Sequence, residues 1–396
     1  MKILKCLFLL CLCVALLGGS ALANEAADYS VEGYDQLYYK MTLPDGRLIF
    51  TGSVGKPGKY MESKARILCL NPDGTVSWDY MDPEKGSCSF GEIALTKDGS
   101  LCALFDNSPY QTTEEIKLKF ITTEGKPVGK EISQDLSQDY RILNAGLMIR
   151  HFASEAEESY TELVDWDGNV LFRWPGYGPI AVNDLIEEED GLVMIGREPG
   201  MLANAAGKIM KVDWRGNTVW ETVMPFQMDY NEGSVMCGIR TGDGGYVAIL
   251  NETGPNAGGP GSKWLTGIVR FSPDGRILWN HTVDASTLDY VYDVIAEYDG
   301  KYVIQCEHMD RFASLRYPMR YLWLDADGNE LGITEMELSS EDLPKHAGKK
   351  NVNMLSGGLF PMNGSLWMIS SWWEDNSKLE NEMASADDVF LKVPEL

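Results

Sequence analysis

Val212-Asp213-Trp214-Arg215-Gly216-Asn217-Thr218-Val219-Trp220 and Thr241-Gly242-Asp243-Gly244-Gly245-Tyr246-Val247-Ala248 are two parts of one recurring pattern. Each places a glycine-containing pair between β-rich runs. Such pairs favour tight hairpin turns, whose central positions take positive φ. The turn of the second stretch recurs as Asp45-Gly46, Asp98-Gly99, Asp190-Gly191, Asp299-Gly300 and Asn363-Gly364, with Asn144-Ala145-Gly146 as a degenerate member. The turn of the first recurs as Asp73-Gly74, Glu124-Gly125, Asp167-Gly168, Asp274-Gly275 and Asp327-Gly328, each roughly 25 residues after a turn of the other series.

Runs such as Ile67-Leu68-Cys69-Leu70 and Gly300-Lys301-Tyr302-Val303-Ile304 flank these turns and read as short, locally paired strands. Each unit is therefore two hairpins, strands A to D, over about 50 residues. A lone four-stranded sheet cannot bury both faces, whereas radial stacking does. Units starting near Asp35, Cys88, Asp139, Asn183, Ser234, Tyr292 and Asn353 predict an all-β, seven-bladed β-propeller with four antiparallel strands per blade. The last unit stops at Val389-Phe390-Leu391-Lys392-Val393, its third strand, so the segment from Ala27 to Tyr34 is expected to supply the fourth and close the ring. Trp78, Trp220 and Trp279 share one place after the second turn, with Phe172 at that place in unit three and Trp174 displaced by two; they are expected to pack between neighbouring blades.

The two opening stretches resemble repeats of exported bacterial propellers of the quinoprotein-like (PQQ-like) superfamily. The resemblance runs loosely over all seven units, is strongest in units one, four and five, and implies fold. Quinoprotein dehydrogenases stack their cofactor on adjacent cysteines, and this chain has no such pair; neither PQQ nor any other cofactor is expected. Leu163-Val164-Asp165-Trp166-Asp167-Gly168-Asn169-Val170 is similar to repeats of bacterial arylsulfotransferases, which use a catalytic histidine.

The N-terminus has the three parts of a secretory signal: Lys2 and Lys5, the apolar run Cys6 to Leu17, and the small-residue site Ala21-Leu22-Ala23. Residues 1–23 read as a signal peptide and 24–396 as one propeller domain, secreted or otherwise extracytoplasmic. No later run is long and apolar enough for a membrane helix. With 59 acidic against 34 basic residues, a net charge of −25 repels phosphate backbones, which disfavours nucleic acid and favours cationic groups as partners. The acidity also serves solubility. Cys69, Cys88, Cys102, Cys237 and Cys306 are widely spaced, form no CxxC pair, and read as buried free thiols, with Cys88 just before a strand.

In an A-B-C-D blade the A–B and C–D turns share one end, and both glycine turn types are of that kind. The B–C connections, over 52–64, 198–207, 251–267, 308–320 and 372–387, lie at the other end, so the long-loop face is expected to carry function. Candidates there are Trp264, Trp372 and Trp373, able to stack on sugar rings or anchor a protein, and His308 with Arg311, Arg316 and Arg320, able to hold a carboxylate or sulfate. Six residues before the first turn stand Glu92, Asp184 and Asp293, with Cys237 and Tyr39 at the same place in other units. This position is expected to open strand A near the long-loop mouth. The three carboxylates either converge on a cation or amine in the channel or cap the neighbouring blade's backbone. No metal site is expected: Asp165-Trp166-Asp167-Gly168-Asn169 and Asp325-Ala326-Asp327-Gly328-Asn329 resemble calcium-loop fragments but lack later ligands and coincide with turns. His151, His281, His308 and His346 are scattered, and no nucleophile elbow or zinc-protease motif is present. Two readings follow: a binding or scaffold module for a glycan, protein or peptide, or small cationic ligand, and, as its rival, an enzyme of arylsulfotransferase or carbohydrate-active type with His308 or His346 beside the arginines.

Overall fold

The computed structural model describes residues 26–29, 34–56, 59–84, 86–107, 115–135, 139–151, 158–176, 178–199, 205–224, 232–253, 264–283, 290–308, 319–336, 352–374 and 386–396. Seven four-stranded antiparallel sheets follow one another along the chain and close into a ring. Their innermost strands, A, are Tyr34–Thr42, Cys88–Leu95, Asp139–Ile142, Ala181–Glu188, Glu232–Arg240, Tyr290–Tyr298 and Val352–Met362. Each begins within two residues of the start read from the sequence. The seventh sheet is completed by Ala26–Asp28, which pairs antiparallel with Ala386–Lys392 through Ala26 opposite Leu391 and Asp28 opposite Val389. The N-terminal clasp is thus present. Cys88 opens its strand rather than preceding it, because pairing with Asn107 extends the ladder back to that residue.

The turns behave as their composition dictates. Asp299-Gly300 and Asn363-Gly364 have positive φ at both residues, whereas most others need it only at glycine. The aspartates of the calcium-like stretches are used inside their own turns: Asp165 Oδ1 accepts from the Asp167 and Asn169 N–H groups, and Asp325 Oδ1 does the same with Asp327 and Asn329.

The core is a set of apolar clusters, one at every junction between adjacent blades. The fixed-position aromatics extend them outward. Trp78, Trp220 and Trp279 lie flat on the turn glycine of the next blade, Gly125, Gly275 and Gly328, where any Cβ would fall within 3.0 Å of the ring. At the third blade Phe172 takes that place against Gly216, while Trp174 Nε1 donates to the Gly216 carbonyl. The seventh blade has no tryptophan there. Tyr29, directly after the clasp strand, takes the role and donates its hydroxyl to the Gly74 carbonyl. Cys69, Cys88, Cys102 and Cys306 are buried free thiols and Cys237 is half-buried. Burial pushes the Cys102 thiol up to about 12, which keeps it protonated and inert.

Candidate functional site

Six of the seven innermost strands carry a β-bulge in mid-strand, between Tyr39 and Met41, Phe90 and Ile93, Val182 and Asp184, Val235 and Cys237, Tyr292 and Val294, and Ser356 and Gly358. The innermost strand of the third blade has none over its described residues. Lys40, Glu92, Asn183, Met236, Asp293 and Gly357 therefore lack a residue opposite them in the ladder. A bulge re-aims such a side chain. This corrects the expectation that the shared acidic position opens strand A: most of these strands start several residues earlier and run eight residues or more, leaving Glu92, Asp184 and Asp293 at mid-wall.

The carboxylates meet the neighbouring blade. Glu92 accepts from the Ile142 N–H at 2.8 Å and lies 3.4 Å from Arg141 Nη1. Asp184 accepts from the Gly238 N–H at 3.1 Å and the Leu185 N–H at 2.8 Å. Burial raises both carboxyls above their ordinary range; the backbone donors and Arg141 oppose it. Arg141, on the blade between them, thus links Glu92 to Asp184. The Asp293 side chain lies outside the described set. Lys40 lies on the same wall, its ammonium lowered by desolvation and supported by Glu92. Asn183 donates to Ser234 Oγ and to the Val235 carbonyl. Over blades one to four the channel wall is charged and polar.

At the tight-turn end acids cap turns. Glu187 accepts from the Asn144 and Ala145 N–H groups, Glu297 from the Gly242 N–H at 3.0 Å, and Asn144 Oδ1 from the Leu95 N–H. At this mouth a cavity of about 620 Å³ opens between blades five, six, seven and one. Its walls are mostly apolar: Tyr39, Ile239, Ile295, Ala296, Leu359 and Pro361. Arg240, Glu297 and the backbone of the Thr241–Gly244 turn supply its polar groups. Arg240 Nε is anchored 3.1 Å from Glu188 Oε1, and Glu188 is held in turn by Lys211 Nζ at 2.6 Å and the Tyr246 hydroxyl at 2.7 Å. The size is that of an ordinary small-molecule pocket.

Sequence reasoning passed over Arg240 and Glu297. The available signal was a charge two or three places ahead of an A–B turn pair, which recurs as Glu187-Glu188. Of the residues it did choose, Trp264, His308, Trp372 and Trp373 stand at or near the ends of strands B and C away from these turns. Trp264 is the first residue of its strand, opposite Thr253, rather than part of the loop before it. His308 ends a strand opposite Tyr290, and Trp372 and Trp373 pair with Asp387 and Ala386. The side chains of these four, and Arg311, Arg316 and His346 altogether, lie outside the described residues. Arg320 donates to Glu335 at 2.7 Å. His151 stacks on Tyr160 and meets Glu162 at 3.0 Å, while His281 lies 3.9 Å from Glu330. One expected loop is absent: residues 52–64 are mostly the paired strands Leu48–Lys56 and Lys59–Leu70. Gly52 is there because strand A comes close, a Cβ at that point colliding with the Gln36 carbonyl.

No family model matches the chain, and no curated protein does. Solved structures do resemble it. A protein of unknown function from Bacteroides caccae is 12% identical over 72% of this chain and 93% of its own, with a TM-score of 0.35. The β-propeller domain of the Trilobed protease from Pyrococcus furiosus is 9% identical over 86% of this chain and 96% of that one, with a TM-score of 0.46. A prolyl endopeptidase structure gives 9% identity over 90% of this chain, a TM-score of 0.48, and coverage of 50% of its own length. The chain therefore spans about half of that peptidase. At these identities the likeness concerns the propeller fold.

Proposed function

We propose that the chain is an exported binding or scaffold propeller that takes a glycan, a peptide or a small cationic ligand on its long-loop face. On this reading Trp264, Trp372 and Trp373 provide stacking surfaces, and His308, Arg311 and Arg316 provide polar anchors. Glu92, Asp184 and Asp293 lie deeper, along the channel. What supports it is the division of the connections between the two rims. The A–B and C–D turns are closed by short backbone hydrogen bonds such as Gly216 N–H to the Asp213 carbonyl and Gly244 N–H to the Thr241 carbonyl. The long connections, over 254–263, 309–318, 337–351 and 375–385, all leave the other rim. A rigid scaffold with variable loops at one end is the usual layout of a recognition surface.

The test is a glycan array and a peptide pull-down with the full chain, followed by titration of any ligand found. Replacing Trp372 and Trp373 together by alanine is expected to weaken binding at least about tenfold, since aromatic anchors dominate such surfaces. Failure to retain any glycan or peptide, or retention untouched by the double substitution, counts against this function.

A further inference from the structure

The cavity at the tight-turn mouth carries a second inference, independent of the long-loop face. Two charged groups of opposite sign line it, and each is held by one edge only. Arg240 is fixed through Nε to Glu188, and its side chain remains 57% exposed. Glu297 is fixed through Oε2 to the Gly242 N–H. Asp190 adds its negative field to Arg240, and among the described residues no further hydrogen bond or ion pair holds the Nη groups of Arg240 or Glu297 Oε1. Both charges are therefore preorganised with an open edge, and the anchoring carboxylate Glu188 is itself locked by Lys211 and Tyr246. The remaining wall, formed by Ile239, Ile295, Ala296, Leu359, Pro361 and the Tyr39 ring, is apolar.

We propose that this cavity binds a small zwitterion with an apolar side chain: a free apolar amino acid or the unblocked form of a very short peptide. Its carboxylate lies against the Arg240 fork, its ammonium against Glu297 Oε1, and its side chain against Ile239, Ile295 and Leu359. A guanidinium presents parallel N–H groups that match a carboxylate's two oxygens. Carboxylate and ammonium groups are adjacent in an α-amino acid, and Arg240 and Glu297 line one cavity. The net charge of −25 sets up a field that repels simple anions, but a zwitterion carries no net charge and is not excluded by it. The ligand enters from the rim opposite the long loops, so its binding does not depend on what that rim recognises.

The experiment is calorimetric titration of the full chain with leucine and three analogues: 4-methylpentanoate, which lacks the ammonium; leucine amide, which lacks the carboxylate; and glycine, which lacks the side chain. Leucine is expected to bind, and each analogue to bind at least about tenfold more weakly: the first two lose a charged hydrogen bond, and glycine loses the burial of an apolar side chain. In Glu297→Gln, which keeps an acceptor for the Gly242 N–H, the preference for leucine over 4-methylpentanoate should disappear while the thermal midpoint stays in place. No leucine binding at 10 mM or thereabouts, a value set by the weakest useful affinities, overturns the proposal. So does equal binding of 4-methylpentanoate, which makes the site one for anions, or equal binding of leucine amide, which makes it one for cations. A preference for leucine that persists in Glu297→Gln overturns the assigned geometry.

Discussion

Two arginines in this ring do opposite things. At the seam between the last and first blades, Arg66 is 2% exposed, and its donors go to Asp35, to Asp79 and to the Tyr29 carbonyl just beyond the clasp strand. Asp35 is 0% exposed, and Asp388, buried on the last blade, adds its field. At the junction of blades four and five, Arg240 also belongs to an ionic network, with Glu188, Lys211 and Tyr246, yet its side chain is 57% exposed and lines the cavity. The same residue type seals a joint in one place and faces a cavity in the other. A guanidinium with every edge engaged holds the fold, and one with a vacant edge is available to a ligand.

Removing the sealed arginine has the largest expected effect. Arg66→Met removes the 3.2 Å ion pair of the buried Asp35 and releases the Tyr29 carbonyl, so chemical denaturation should show a loss of about 3–5 kcal/mol. A loss under about 1 kcal/mol, the level of an ordinary surface change, would put the seam's strength elsewhere.

Acid sharpens the contrast from the cavity side. Asp243, in the turn that borders the cavity, is held low, at about 2, by the Thr241 hydroxyl, the Gly245 N–H and Arg270. A carboxyl lowered on folding stabilises the fold above its unfolded value, near 3.9, and loses that contribution as pH falls through the folded value. Asp243→Asn should therefore flatten the decline of stability between about pH 4 and pH 2, followed by urea unfolding at stepped pH. An unchanged acid limb would show that the turn's hydrogen bonds persist on protonation. Asp184 has the opposite sign: burial raises its carboxyl, so it opposes folding increasingly as pH rises above the ordinary aspartate range.

Much of this was legible in the sequence, and for identifiable reasons. Asp299-Gly300 and Asn363-Gly364 announce their turns because few other residues accept positive φ at both positions. The tryptophans announce blade contacts because each needs a glycine to lie on, and the second turn of the next unit supplies it. The missing fourth strand of the last unit was a matter of strand arithmetic, and Ala26–Asp28 fills it. The channel wall was not legible. A bulge shifts alternation by one, so strand parity fails beyond Tyr39, Val182 or Val235, and facing cannot be counted from the turn. Gly52 misled for a related reason: it marks a close backbone approach inside a strand, while its composition reads as loop. Arg240 and Glu297 come together only when blades five and six are placed side by side, which no local pattern records.

The most direct test of the contrast between the two arginines is Arg240→Gln, measured by denaturant unfolding and by leucine titration on the same preparation. Stability is expected within about 1 kcal/mol of the parent protein, since Arg240 is more than half exposed and Glu188 keeps Lys211 and Tyr246, together with loss of leucine binding by about tenfold or more. Destabilisation by several kcal/mol, comparable to Arg66→Met, or leucine affinity equal to that of the parent, would contradict it.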